Sequence, residues 1–212
     1  MVDHAPAHAA PPAATAATAA AGDAGAARIA DGIVVDGLSV KSERVIRVLT
    51  LRHYADHRAL SAYIHSFIGA ALPAPLAAVT TRGGLPPGGR ERRTHDRWIL
   101  AWRSPTETWM LCAGEPETAD LVARIEGMTD ACVVDLTGGI AILQVRGERT
   151  ADLLLRLGSA ASVPAIGEAR TSRMAELTVM ALRVDEDEVM LLLDQAYADH
   201  LLGWIAATAR DF

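Results

Sequence analysis

The sequence predicts an α+β fold: two pseudo-repeated ferredoxin-like β-α-β-β-α units with antiparallel sheets, preceded by a disordered tail. Three observations predict it. Runs rich in β-branched residues with near-alternating faces recur along the chain. Between them lie stretches whose apolar residues stand three and four apart, the spacing of a helix face. The two blocks also match each other without gaps when Arg97 is set on Leu177. Ile99 then meets Val179, Arg103 meets Arg183, Met110 meets Met190, Leu111 meets Leu191 and Ile125 meets Ile205. The opening stretches VLTLRHYADHRALSAYI and ILQVRGERTADLLLRLG match as well. The domain boundaries that follow are a tail at 1–28, a first unit at 29–127 and a second at 128–212.

Composition narrows the function classes. Half of the 212 residues are apolar, enough for a substantial core, and the formal net charge is −6. Lys and Arg together number 20 and form no basic stripe, so nucleic acid is not an expected partner. The densest basic run, RERR at 90–93, reads as a solvated loop that could also meet a phosphate or acidic partner. No run approaches the roughly 18 apolar residues of a membrane span, so no membrane role is expected. Cys112 and Cys132 both sit in apolar strand-like runs and read as buried, reduced thiols of a cytoplasmic protein.

Taken in order, 1–27 is rich in Ala, Pro and Thr and lacks large apolar residues. It cannot bury enough surface to offset its ordering entropy. It carries neither the basic and leucine-rich regions of a secretory signal nor a basic residue before Arg28, so no leader is expected. His4 and His8 stand four apart within it. A weak extended lead-in at 29–40 is punctuated by Gly32 and Gly37. A strand follows, with Val45, Arg47, Leu49 and Leu51 on one face and Ile46, Val48 and Thr50 on the other.

Asp56 is placed to cap the next helix, expected to reach about Leu72. Leu60, Tyr63, Ile64, Phe67 and Ile68 form its apolar face; Gly69 lies near its end and Pro73 stops it. His53, His57 and His65 lie on or near that helix. His53 and His57 have metal-compatible spacing, but no H-E-x-x-H pattern accompanies them, and exposed polar positions are the plainer reading. The stretch 77–96 contains RGGLPPGGR and reads as a loop able to close over a ligand or dock on a partner. It is not a phosphate cradle, since no GK[ST] follows.

Strands at 98–103 and 108–113 flank a turn, and Pro116 with Glu115 and Glu117 opens a helix ending at Gly127. Trp98, Trp102 and Trp109 on this hairpin read as core, with a pterin or flavin pocket as the other reading. Strands at 132–136 and 140–145 are expected to pair with each other across Thr137-Gly138-Gly139. A helix from Glu148 to Gly158 follows, then a loop at 159–167 and a hairpin of 178–184 with 189–193 around a DEDE turn. The last helix spans about 197–209, with Leu201, Leu202 and Ile205 inward and Trp204 at its edge.

On VVDLTGGIAILQVRGERTADLLLRL at 133–157, WRSPTETWMLC at 102–112 and AYADHLLGWIAATA at 196–209, the chain resembles the gamma subunit of heterotetrameric sarcosine oxidase. That family is related to the folate-binding aminomethyltransferases (glycine-cleavage T-proteins). The resemblance covers roughly 45–212 and implies a T-protein-like fold. It implies a complex with alpha, beta and delta subunits, alpha being the most direct contact, that oxidatively demethylates sarcosine. FAD, FMN, NAD and tetrahydrofolate would sit on those partner subunits, and this chain would bind none alone and carry no catalytic residue. The family's C-P-L-D-L loop is absent, 158–163 reading GSAASV. The alternative is a stand-alone folate-binding or aminomethyltransferase-like protein. Such a protein needs a carboxylate for the pterin edge. Asp135, ending a strand beside a glycine turn, is the candidate, with a turn-capping aspartate as its other reading. No K-G-x-C signature of the iron–sulfur repair branch is present. Trp204, the tryptophan-bearing hairpin and the scarcity of lysine suggest apolar surface meant for a partner.

Overall fold

A computed structural model describes residues 32–54, 57–82, 97–112 and 116–212, with backbone alone at 82, 97, 116 and 117. The expected tail at 1–28, the Asp56 cap and the RGGLPPGGRERR segment apart from Arg82 lie outside the described residues. In chain order the elements are β1 (Ile33–Val35), β2 (Leu38–Glu43), β3 (Arg47–His53), α1 (Arg58–Ile68), β4 (Ala78–Arg82), β5 (Arg97–Ser104), β6 (Glu107–Cys112) and α2 (Pro116–Glu126). Then follow β7 (Ala131–Asp135), β8 (Ile140–Arg146), α3 (Thr150–Leu157), β9 (Ala169–Met174), β10 (Leu177–Asp185), β11 (Glu188–Asp194) and α4 (Ala198–Ala209). The fold class is α+β, with two antiparallel sheets ordered β4-β5-β6-β3-β7 and β1-β2-β8-β11-β10-β9.

Four layers result. Leu60, Ile64 and Ile68 of α1 and Leu121 and Ile125 of α2 pack on Leu49, Leu51, Leu100 and Met110 of the first sheet. Leu153, Leu154 and Leu157 of α3 and Leu201, Leu202 and Ile205 of α4 pack on Leu143, Val145 and Leu191 of the second. Between the sheets, Val48, Ile99, Trp109 and Leu111 meet Ile142, Met180, Leu182, Met190 and Leu192. Covering both faces of a sheet removes the need for polar alternation, which is why strands such as VMLLL read as continuous apolar runs.

The sheet partners of β7 and β8 correct the expected hairpin. The two strands do not pair along their length: β7 lies on β3, with Thr50 opposite Val134, and β8 lies between β2 and β11. Between them the chain steps from one sheet to the other, held by Leu136 N–H to Val48 O at 2.8 Å and Gln195 N–H to Gly139 O at 2.9 Å. Gly138, at φ 84°, supplies the left-handed residue of the step. The glycine turn is real, but it serves an arch rather than a hairpin. The edge position beside β3 takes β7, a choice set by the distant β3 rather than by the residues of β7 and its turn.

The same displacement occurs at the other end. The weak lead-in is a hairpin, β1 with β2 around Asp36-Gly37, and β2 pairs with β8 in the second sheet. The first sheet thus takes β7 from the second half of the chain, and the second sheet takes β1 and β2 from the first. Apart from these traded strands, each half holds one strand more than the expected β-α-β-β-α order: β4 follows α1 and β9 follows α3, both at sheet edges. Their sequences, AVTTR and ARTSRM, carry the polar and charged residues tolerated at edges and give little strand signal. The first helix stops at Ile68, where Gly69 at φ 77° returns its N–H to His65 O, short of the expected Leu72.

Candidate functional site

A cleft of about 580 Å³ opens at the rim of the first sheet, lined by residues 52–54, 106–107 and 129–132. Backbone hydrogen bonds join its walls: His53 N–H to Thr106 O at 3.0 Å and Tyr54 N–H to Asp130 O at 3.3 Å. Strand register decides which side chains meet there. Glu107 of β6 stands opposite Arg52 of β3, and Arg52 stands opposite Cys132 of β7. The three share one face of the sheet, because cross-strand partners point the same way.

Glu107 is the fixed element. Its Oε1 accepts from Thr50 Oγ1 at 2.8 Å and from Trp109 Nε1 at 2.9 Å. Thr50 is the cross-strand partner of Trp109, and both are buried. Burial alone would raise the Glu107 carboxyl. The Trp109 and Thr50 hydrogen bonds and the Arg52 and Arg103 guanidinium charges outweigh it and hold the group below its usual value. Sequence reading passed over Glu107. The signal was its place two residues before Trp109 on one strand, which puts carboxylate and indole on one face.

His53 ends β3 with 8% of its surface exposed. Its Nδ1 and that of His57 both lie 3.1 Å from Tyr54 O, and the two rings are 4.3 Å apart. A carbonyl only accepts, so Nδ1 of His53 carries the proton, and Nε2 has no hydrogen-bond partner among the described residues. Desolvation, aided by His57 and opposed by the Tyr54 hydrogen bond, lowers the His53 pKa. His65 is exposed in the last turn of α1, away from this pair. Among the described residues no three His, Cys, Asp or Glu side chains converge as a metal site.

The folate candidate, Asp135, lies at the far end of β7 and does not line the cleft. Its Oδ1 accepts from Thr137 N–H at 2.8 Å, and its Oδ2 is ion-paired with Arg47. Arg47 also donates to Thr118 Oγ1 at 2.7 Å, tying α2 to the same knot. Desolvation would raise the Asp135 carboxyl, but the Thr137 hydrogen bonds and Arg47 lower it. Both oxygens are engaged within the chain, so this geometry does not present a free carboxylate edge to a pterin.

The tryptophans are split between layers rather than gathered. Trp98 is 5% exposed on the helix side, edge-on to Phe67, whereas Trp109 is 8% exposed between the sheets under Arg103. Trp204 is half exposed on α4. Of the two thiols, Cys112 is buried, but Cys132 is exposed, correcting the expectation for it. The cause is its strand: β7 is an edge, and the sheet face bearing Cys132 and Val134 is left open there. No helix among the described residues is long and apolar enough to cross a membrane.

No protein-family model and no curated protein matches the chain. Solved structures do. A heterotetrameric sarcosine oxidase from Corynebacterium sp. U-96, in complex with pyrrole 2-carboxylate, matches with TM-score 0.69 and 20% identity, over 86% of this chain and 89% of that one. The glycine cleavage system aminomethyltransferase T from Bartonella henselae matches with TM-score 0.60 and 14% identity. That match covers 80% of this chain, which spans 45% of the transferase. At these identities the likeness is one of architecture: the chain has the T-protein-like fold common to both structures.

Proposed function

We propose that this chain is an accessory, non-catalytic gamma subunit of a heterotetrameric flavin-dependent sarcosine (N-methyl amine) oxidase. The observation that carries this reading is the extent of the match: 86% of this chain on 89% of a chain from such an oxidase. In the transferase, by contrast, less than half of the matched chain is covered. Alpha, beta and delta subunits would complete the complex, with alpha in direct contact. They would hold FAD, FMN and NAD and use tetrahydrofolate as the one-carbon acceptor during demethylation of sarcosine, in the cytoplasm. The common element order of the two halves supports reading 29–127 and 128–212 as copies of one ferredoxin-like unit, each extended by an edge strand.

The likeness to aminomethyltransferase T favours one second reading, a stand-alone folate-binding or aminomethyltransferase-like protein. It would require Asp135 to give up Arg47 or another group to serve. Gentle isolation of the tagged chain from its host separates the two. A yellow complex containing three further chains is the expected result. A colourless chain eluting alone, with tryptophan fluorescence quenched by added tetrahydrofolate, would overturn the oxidase reading.

A further inference from the structure

We propose that β7 is the contact strand of a homodimer: its open edge pairs antiparallel with β7 of a second copy of this chain, about a two-fold axis at Cys132. The oxidase reading is not needed for this; the edge belongs to the chain itself.

The first argument is an unfilled place in one sheet. The two sheets match in register. Arg52 of β3 lies between Glu107 of β6 and Cys132 of β7, and Arg146 of β8 lies between Glu188 of β11 and Ser39 of β2. β7 therefore corresponds to β2. On the outer side of β2 runs β1, with Val34 opposite Ser39 and with Ile33 and Val35 packed on the helix-side core. Among the described residues β7 has no such neighbour and is the last strand of its sheet. Its margin is apolar on both faces. Ala131 and Val133 are only partly buried on the core beneath the helices, and Val134 is exposed with Cys132 on the other face. The strand carries no Lys, Pro or bulge, the devices that keep edges from pairing.

The second argument is which backbone groups are open. Tyr54 N–H donates to Asp130 O and Leu136 N–H to Val48 O, so the even-numbered residues of β7 bond to β3. Ala131, Val133 and Asp135 therefore turn their N–H and C=O groups outward, where no described strand meets them. The segments of the chain outside the described residues are poor candidates to do so. Residues 83–96 connect β4 and β5, on the far side of β6 and β3, and 1–31 hold Val2 and Ile29 as their only Val or Ile.

The third is that β7 is complementary to itself. With the axis at Cys132, Ala131 makes a hydrogen-bonded pair with Val133 of the second copy, and Val133 with its Ala131. Asp130 then faces Val134 and Asp135 faces Thr129, so no two acids meet. Moving the axis to Val133 would instead set Asp135, already tied to Arg47, against Ala131. Cys132 faces its own copy at a non-hydrogen-bonded position, where Cα atoms stand about 4.5 Å apart, within the span of a disulfide. The thiol reports the register; the open backbone groups and the apolar margin supply the association. A strand pair of this length covers less than the roughly 800 Å² per partner of a standard interface, so the dimer is weak and exchanges with monomer.

The experiment is sedimentation of the full chain under reducing conditions from about 10 µM to about 1 mM, where a monomer–dimer equilibrium with Kd near roughly 0.1 mM is expected. Amide exchange at Ala131 and Val133 should slow as the dimer fills. Diamide should then link two copies through Cys132, the two thiols giving up two electrons and two protons that reduce its N=N bond to a hydrazine. Cys132→Lys sets like charges opposite each other and should weaken the dimer about fivefold or more. Cys132→Ser should keep the reversible dimer and lose only the cross-link. Both variants alter an exposed side chain and should melt like the parent. A monomer throughout the range, a dimer unchanged in Cys132→Lys or lost in Cys132→Ser, no Cys132-linked dimer with diamide, or exchange at Ala131 and Val133 that ignores concentration would each overturn the proposal. None of these outcomes bears on whether the chain co-purifies with flavin-bearing partners, so the two readings fail separately.

Discussion

Arg47 holds Asp135 in an ion pair across 88 positions of sequence, joining the start of β3 to the end of β7. The pair sits where the chain leaves the first sheet for the second, and Thr137 completes it by accepting Val48 N–H at 3.1 Å. Both side chains are partly exposed, 27% and 44%, so the pair is worth at most about 1 kcal/mol after solvent screening. Asp135→Asn should keep the Thr137 cap, lower the urea midpoint slightly and leave any flavin-linked turnover of the assembled complex unchanged. The folded carboxyl lies below its ordinary value of 3.8, so its contribution is present above that pH and fades as pH falls through the folded value. The stability difference between parent and variant should therefore shrink as pH falls below that ordinary value, read by urea unfolding from neutral pH into acid.

Two glycines should respond to alanine with opposite signs. At Gly147, φ is 124° and a Cβ would stand 2.2 Å from Gly37 O, in the turn of the β1–β2 hairpin. Gly147→Ala must move that hairpin and should cost more than about 2 kcal/mol. Gly203 is exposed in the middle of α4 with nothing within 4 Å of its missing Cβ. Gly203→Ala should stabilise by about 0.5–1 kcal/mol, the helix propensity difference alone. Thermal denaturation of both variants checks the pair.

Phe212 packs on the second helix layer with the guanidinium of Arg156 4.6 Å from its ring centre and that of Arg149 at 5.4 Å. Removing the ring loses apolar burial and two cation–π contacts. Phe212→Ala should cost about 1–2 kcal/mol in urea unfolding. Arg156→Gln should cost less than half of that, because the burial remains.

Native thiol titration should count one reactive cysteine of the two. Cys132, exposed on the edge strand, should react with a disulfide reagent at once, and Cys112, buried under the helix layer, only after denaturation. Two fast thiols would mean that β6 opens readily.

Local order was legible, and pairing was not. Helices α2 and α4 lie within about a residue of where Pro116, Gly127 and the Leu201, Leu202, Ile205 spacing put them, because caps and periodicity are written in neighbouring residues. Gly69 and Pro73 overshot the end of α1 because a left-handed cap terminates a helix before a proline can. The β7–β8 pairing failed for a different reason. Both strands and their glycine turn were recognised, but the turn is equally compatible with an arch, and the choice depends on β3, some 80 residues earlier. At the cleft, His53 stood out by spacing and Glu107 did not, since its importance comes from Thr50 and Arg52 on another strand.

The traded strands also set a timetable for synthesis. In the finished molecule Val40 of β2 faces Val145 of β8, so about half of the 212-residue chain must leave the ribosome after β2 before that strand has its sheet. At ordinary elongation rates the wait is on the order of ten seconds. During it the β1–β2 hairpin presents Val34 and a row of open backbone donors and acceptors to every neighbouring nascent chain. A coding sequence rearranged to deliver that hairpin last would abolish the delay, making vectorial synthesis, rather than final stability, the step at which this topology is most vulnerable.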